Sequence, residues 1–264
     1  MSEFVEQDLE GSHFERTSLR NAIFRQVHFN DATMRRVDFS SVDIRGALFR
    51  GTRMIGVEFV DVEISGGLQN VIVNGIDIAP LVEHELNRLY PDRVKVHPKT
   101  VAEAKEGWAI VRRLWDETIA KASGLPAETL HARVNGEWSF IQTLRHLNFA
   151  SAAWIDRMIV GNPSPWHALD LPWDEAPGWD GIPWDRDARP TLTEVLAVRR
   201  DREATMSKVI ESLTDEQFAS RVTRTEPGWP QMTDFPLQEC VSIVLSEQWE
   251  HNHFAERDLA ALTR

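Results

Sequence analysis

Residues 22–39 read Ala22-Ile23-Phe24-Arg25-Gln26-Val27-His28-Phe29-Asn30-Asp31-Ala32-Thr33-Met34-Arg35-Arg36-Val37-Asp38-Phe39. A large apolar residue returns at every fifth position, with a small or β-branched residue two places before it. The register extends outward in both directions, from Phe4, Leu9, Phe14 and Leu19 to Ile44, Phe49, Met54, Phe59 and Ile64. The companion residues are Ala22, Val27, Ala32, Val37, Val42, Ala47, Thr52, Val57 and Val62, and the register breaks at Leu68. A period of five is neither the 3.6 of a helix nor the 2 of a strand. A fixed short period specifies a solenoid whose units stack on their neighbours. It predicts that every fifth side chain points inward and that the intervening arginines and polar residues face water.

The pattern resembles the pentapeptide-repeat family, with units of the form A(D/N)LXX, over residues 2–66. That resemblance implies a right-handed quadrilateral β-helix, one unit per side, in about three coils. Residues 1–79 are assigned to it, with Ile76 and Ile78 suggesting a last coil. Val82, Leu86 and Leu89 fall at helical spacing, so a short helix is predicted after Pro80. Such a helix could cap the open end of the solenoid, where strand edges would be unpaired. Pro91 to Pro98 reads as linker, which makes 80–99 a capping helix and linker.

Composition separates this segment from the rest. All ten tryptophans lie between Trp108 and Trp249, whereas seven of the twelve phenylalanines precede residue 60. Two domains are therefore expected. The chain carries 29 Lys and Arg against 41 Asp and Glu, a formal net charge of −12. No basic footprint exists for nucleic acid or an anionic membrane, and no apolar run is long enough to span a bilayer. A single cysteine, Cys240, and the charged first 30 residues fit a reducing cytoplasm.

From residue 100 onward the punctuation is helical. Thr100 with Glu103, Ser139 with Gln142, Thr191 with Glu194 and Thr214 with Gln217 each have capping-box spacing. Pro236 suits the first turn of a last helix. Gly124 and Pro126, Gly161 and Pro163, and Gly228 and Pro230 mark stops. Four main helices are predicted near 101–122, 139–160, 191–212 and 236–262. Their apolar stripes run through Trp108, Val111, Trp115 and Ile119; Ile141, Leu144, Leu147, Ile155 and Met158; Val195, Leu196, Met206, Val209 and Ile210; and Leu237, Val241, Val244, Ala255, Leu259 and Leu262. This is the pattern of an all-α four-helix bundle. Residues 162–190 form a long connection rich in Pro, Trp and Asp.

On the last predicted helix Glu247 and His251 stand at i and i+4, sharing a face along the apolar stripe. A carboxylate and an imidazole beside a core seam need a partner, and one cation can satisfy both. His146, between Leu144 and Leu147 on the second predicted helix, is the candidate third ligand. Three protein ligands leave positions open for water or substrate. The bland alternative is a surface pair or a satisfied core histidine. His253 falls round the helix toward solvent, Glu250 is a partner of the site or part of a solvated face, and Cys240 is a small core residue. Trp166, Trp173, Trp179 and Trp184 either line a substrate mouth or anchor their loop. No Gly-rich phosphate loop and no CxxC pair is present.

The segment Glu137-Trp138-Ser139-Phe140 leading into Leu144-Arg145-His146-Leu147 is similar to the second-helix signature of the DinB-like family. Glu247-Gln248-Trp249-Glu250-His251 followed by Phe254-Ala255-Glu256-Arg257-Asp258-Leu259 is similar to its last-helix signature. Pro190 to Glu194, with Val195 and Arg199, resembles the start of its third helix. The resemblance covers residues 100–264 and implies an up-and-down four-helix bundle with a divalent metal ion, zinc or nickel, near one end. The family's triad is a His on the second helix and an H-x-x-x-H pair on the last. Here His146 and His251 match, and Glu247 replaces the first His of the pair, which makes the site harder and one charge more negative. Arg257 and Asp258 resemble residues that pair structurally.

The resemblance implies a metal-dependent transferase or isomerase acting on a small-molecule substrate with a low-molecular-weight thiol, such as mycothiol or bacillithiol, as cosubstrate. The alternative is a non-catalytic binding or scaffold protein acting through the solenoid, for instance in a homodimer. Some pentapeptide-repeat proteins mimic DNA and bind a topoisomerase. Residues 1–70 carry 11 acidic and 8 basic residues, a net of 8 − 11 = −3, so the eight arginines argue against that role.

Overall fold

The structure is a computed structural model that describes residues 3–174, 176–179, 182–226 and 228–264. The chain divides into two compact units, Met1–Ser65 and Gly66–Arg264.

In the first unit the five-residue period is written into the backbone. Thirteen residues have a left-handed φ at a strict spacing of five, from Glu6, Gly11 and Arg16 through Asn21, Gln26 and Asp31 to Gly56, Asp61 and Gly66. Each lies two residues after an apolar centre. Gly, Asn and Asp hold most of these positions because they tolerate φ > 0 best. Alternate centres close β-turns: the carbonyls of Leu9, Leu19, Phe29 and Phe39 accept from the amides of Ser12, Ala22, Ala32 and Val42 at 3.0–3.3 Å. A positive φ at the third residue is what a type II turn requires.

The expectation of a closed β-helix is corrected. Among the described residues no strand precedes Ile72, and every residue from 3 to 67 is exposed, the apolar centres included. The turns recur, but no backbone ladder joins one coil to the next, so no interior forms. Among the described residues the one ring contact in the segment is local, Phe24 edge-on to Phe29 with centroids 5.6 Å apart.

The second unit opens with a hairpin, not a last coil. β1 (Ile72–Val73) pairs antiparallel with β2 (Ile76–Asp77), Ile72 opposite Asp77 and Val73 opposite Ile76. Asn74 and Gly75 both have positive φ, as a type I′ turn demands. α1 (Ala79–Leu89) follows with Pro80 in its first turn, where a missing N–H costs nothing. The expected linker is packed: Pro91–Val96 is a 3-10 helix, and Val96 is buried in the core. Gly107 permits the approach, since a Cβ there would lie 2.3 Å from the Lys95 carbonyl oxygen.

The long helices are α2 (Val101–Ala122), α4 (Phe140–Ser151, continuing as a π-helical stretch Ala152–Ile159), α5 (Leu192–Ser212) and α7 (Leu237–Leu262). The short helices α3 (Ala127–His131) and α6 (Asp215–Phe218) lie between them. Full capping boxes form at Ser139, Thr191 and Thr214, each worth about 1 kcal/mol. At Thr100 only half forms: its side chain accepts from the Glu103 amide, but the Glu103 carboxylate takes the Lys99 N–H at 2.6 Å. Sequence reading missed the antiparallel pair β3 (Arg221–Arg224) and β4 (Met232–Pro236), whose connection holds Gly228 and Pro230. Pro236 ends β4 and caps α7 instead of sitting inside its first turn.

α2 packs on α7, α7 on α4, α4 on α5 and α5 on α2. Two apolar clusters fill the space between them, one around Trp108, Val111, Ile210, Val241 and Leu245, the other around Trp115, Leu144, Leu147, Val195 and Leu259. Fully burying a side chain of this size contributes about 1.5–3 kcal/mol. Trp115 is wholly buried and its indole N–H donates to the Gln248 carbonyl at 2.9 Å, which fixes α7 on α2 beside Glu247. Among the described residues no helix is long and apolar enough to cross a membrane.

Candidate metal centre

Leu144 and Leu147 anchor α4 in the core and leave His146, on the intervening face, turned toward α7. The His146 Nδ1 lies 3.1 Å from the Leu171 carbonyl. A carbonyl only accepts, so Nδ1 carries a hydrogen, and Nε2 is the nitrogen whose lone pair a metal can use. On α7, Val244, Gln248 and Ala255 are buried and set the face that carries Glu247 and His251. The His251 Nδ1 donates to the Glu247 carbonyl at 3.0 Å, which frees its Nε2 in the same way.

The three sequence-predicted ligands converge. Glu247 Oε2 lies 3.4 Å from His146 Nε2 and 3.4 Å from His251 Nδ1. One ligand atom from each residue lies within 4.8 Å of the other two, and among the described residues no other such trio occurs. The 3.4 Å between Glu247 Oε2 and His146 Nε2 is comparable to the separation of two ligands each about 2.0–2.2 Å from one ion. Glu247 Oε2 is buried and accepts no hydrogen bond. A bare lone pair facing a bare carboxylate oxygen is repulsive unless a cation or a proton lies between them. The donor set therefore fits a divalent ion.

The electrostatics agree. Burial raises the Glu247 carboxyl, but the neighbouring His146 and His251 outweigh it and hold the group below its ordinary range. Burial pushes His251 down to about 4. At neutral pH the site thus holds an ionised carboxylate beside a neutral His251, the protonation states a metal needs.

Around the trio stands an aromatic wall. The Trp138 ring lies 4.5 Å from His146 and 6.2 Å from His251, and its indole N–H donates to Asp174 Oδ1 at 3.0 Å. Phe149, 6.1 Å from the His146 ring, contacts Trp166, Trp173 and Trp184; Trp179 and Trp229 extend the cluster. The four tryptophans flagged in the long connection therefore form one body on the His146 side.

That connection is stapled by a residue whose role sequence reading missed. Arg145 is buried, and its guanidinium donates to the carbonyls of Leu169 at 2.9 Å and Ala188 at 2.8 Å, and also to that of Asp185. The Arg145 carbonyl in turn accepts from the Leu171 amide at 3.2 Å. A lone arginine amid leucines on a core helix was the available signal.

The remaining candidates separate. His253 does not simply face solvent: its Nδ1 donates to the Trp249 carbonyl at 2.9 Å, and its ring lies against Tyr90 and Trp249, away from the trio. Glu250 is exposed, on the solvated side of α7. Arg257 pairs with Asp258 at 2.7 Å and with Glu137. Cys240 is buried and its thiol is pushed up by burial to about 12, which removes it as a nucleophile.

Comparison with protein families gives two matches. A family model described as the DinB superfamily matches residues 110–255, and one described as pentapeptide repeats, in eight copies, matches residues 3–40 and 12–51. No curated protein and no solved structure matches the chain.

Proposed function

The chain belongs to the DinB superfamily, with pentapeptide repeats ahead of that domain, and on this footing we propose that it is a metal-dependent protein whose ligands are His146, Glu247 and His251. The helical unit is read as an up-and-down four-helix bundle with the ion, zinc or nickel, between its second and last long helices. The observation that carries this reading is the buried Glu247 Oε2, without a hydrogen-bond donor and 3.4 Å from the free Nε2 of His146.

A divalent ion in this place supplies Lewis acidity, which favours the thiolate form of a thiol or the hydroxide form of water at neutral pH. The chain's own groups do the rest. The carbonyls of Leu171 and Glu247 hold the two imidazoles in the tautomer that leaves Nε2 free. Glu247 lowers the net charge of a divalent centre to +1, enough to attract one thiolate. Trp138 and Phe149 exclude water and offer flat apolar surface to a substrate. This fits a transferase or isomerase using a low-molecular-weight thiol.

Loading the full chain with Co²⁺ tests the reading. Visible ligand-field bands should appear at one equivalent and shift on addition of mycothiol or another small thiol. Absence of the bands would contradict metal binding, and bands that ignore every thiol would contradict the thiol chemistry.

A second reading rests on the repeat segment, whose apolar centres are exposed, Phe29 by 52% and Phe4 by 66%. Such a row suits an interaction or dimerisation surface. Size-exclusion chromatography of the whole chain against residues 66–264 distinguishes it, since unchanged assembly would count against that role.

A further inference from the structure

Behind His146 lies a buried charge cluster that the metal reading does not use. Arg202, on α5, donates to Asp156 of the π-helical stretch, to the Pro165 carbonyl at 2.6 Å, and to Asp170 at 3.5 Å. Asp170 is wholly buried; its Oδ2 accepts from the His167 amide at 2.8 Å, and its Oδ1 has no partner. Two carboxylates thus share one guanidinium by hydrogen bonds, because the Arg145 guanidinium donates to loop carbonyls instead. The groups facing Asp170 are Arg202 from α5, Asp156 from the π-helical stretch, Arg145 from α4 and His167 from its own loop. The next residue, Leu171, supplies the carbonyl that fixes the His146 tautomer.

We propose that Asp170 is a positioning residue for the metal centre: the Asp156–Arg202–Asp170 cluster seats segment 163–171, which lends the Leu171 carbonyl to His146, and proton uptake by the cluster tightens that seat. This deepens the metal reading and rests on it. The direction follows from the unpartnered oxygen. With Asp170 ionised the seated loop buries a carboxylate whose Oδ1 has no donor, and one proton removes that charge. Burial, reinforced by Asp156, raises the Asp170 carboxyl to about 6, against the pull of Arg202. The seated form therefore binds the proton more readily than the unseated one, and acid favours seating. At neutral pH the loop is the looser form, which suits a segment that must admit a substrate.

The test uses the full chain, with Asp170→Asn as the neutral isostere and Asp170→Ala as the variant that loses the acceptor for His167. Tryptophan fluorescence without metal, followed from pH 8 to pH 5, reports the seat through the Trp166–Trp184 cluster. Wild type should show a transition near pH 6, and Asp170→Asn should show the acid-form spectrum throughout. Zinc affinity at pH 7 should fall about 10–100-fold in Asp170→Ala, and Asp170→Asn should retain or exceed wild-type affinity. A fluorescence transition that persists in Asp170→Asn, or wild-type zinc affinity in Asp170→Ala, would overturn the positioning role while leaving the metal reading intact. Absence of zinc binding in wild type would overturn the metal reading, and the positioning role with it.

Discussion

His146 Nε2 faces Glu247 Oε2 across 3.4 Å, each turned to the other by a backbone carbonyl or a helix face and neither holding a donor of its own. Fold and chemistry meet at this pair. α4 and α7 are fixed by separate apolar contacts, yet they bring together two groups that apolar packing alone would not place side by side. A proton on His146 would turn the pair into an imidazolium–carboxylate bridge; a divalent ion would turn it into a centre.

Asp170→Asn should stabilise the metal-free protein at neutral pH and lose that advantage in acid. The Asp170 carboxyl is raised to about 6 from an ordinary value of 3.8. The native state therefore binds the proton more tightly than the unfolded one, and stability falls as pH rises from 3.8 through 6. Keeping the group ionised at pH 8 costs on the order of 3 kcal/mol. Thermal midpoints of the two proteins should diverge at pH 8, variant higher, and converge near pH 4. A constant difference between pH 4 and pH 8 would contradict the assignment.

Gly107→Ala should destabilise the protein although alanine is the better helix former. Its Cβ would lie 2.3 Å from the Lys95 carbonyl oxygen and 3.2 Å from Leu245 Cδ1. The helix gains about 1 kcal/mol, while forcing the 3-10 helix off α2 costs about 2–3 kcal/mol. Urea denaturation should show a net loss, and a gain would mean that this packing is not maintained in solution.

Nickel should quench tryptophan fluorescence mainly through Trp138, whose ring lies 4.5 Å from His146. Trp138→Phe should keep nickel affinity within about threefold and lose most of the quenching, because Phe preserves the ring contact but not the emitter. Undiminished quenching in the variant would place the metal elsewhere.

The fragment spanning residues 66–264 should fold by itself. Among the described residues every buried side chain lies at Val96 or beyond, so removing the repeats takes nothing from a core. Circular dichroism should show cooperative unfolding at a midpoint within a few degrees of the whole chain. A fragment without a cooperative transition would show that the repeats support the helices.

The sequence displayed the helical unit with little ambiguity, because capping and periodicity agree at the same places. Ser139, Thr191 and Thr214 mark helix starts by chemistry that works locally, and Trp115, Leu147 and Val244 mark buried faces by spacing alone. Glu247 and His251 were legible as a pair because i and i+4 share a face. His146 stood out by its place between Leu144 and Leu147 on another helix, and the resemblance added support, since nothing in a linear pattern says which distant imidazole will meet the pair. Leu171 was invisible: its contribution is a backbone carbonyl, which every residue has. Asp170 and Arg202 read as ordinary loop and helix charges, because burial of a charge depends on tertiary packing. The Asn74-Gly75 turn was open to reading and was overridden by the stronger five-residue pattern before it. In that pattern the period marks where the turns recur, but among the described residues the interior it implied is absent, because closing a coil takes ladder bonds that periodicity does not supply.

The most direct test is elemental analysis of the full chain, purified without chelator and without a metal-binding tag, beside His146→Ala, Glu247→Ala and His251→Ala. The account predicts about one zinc or nickel per wild-type chain and a stoichiometric loss in each variant, with helical content preserved. Wild-type protein without a divalent metal, or variants that keep it in full, would contradict the centre.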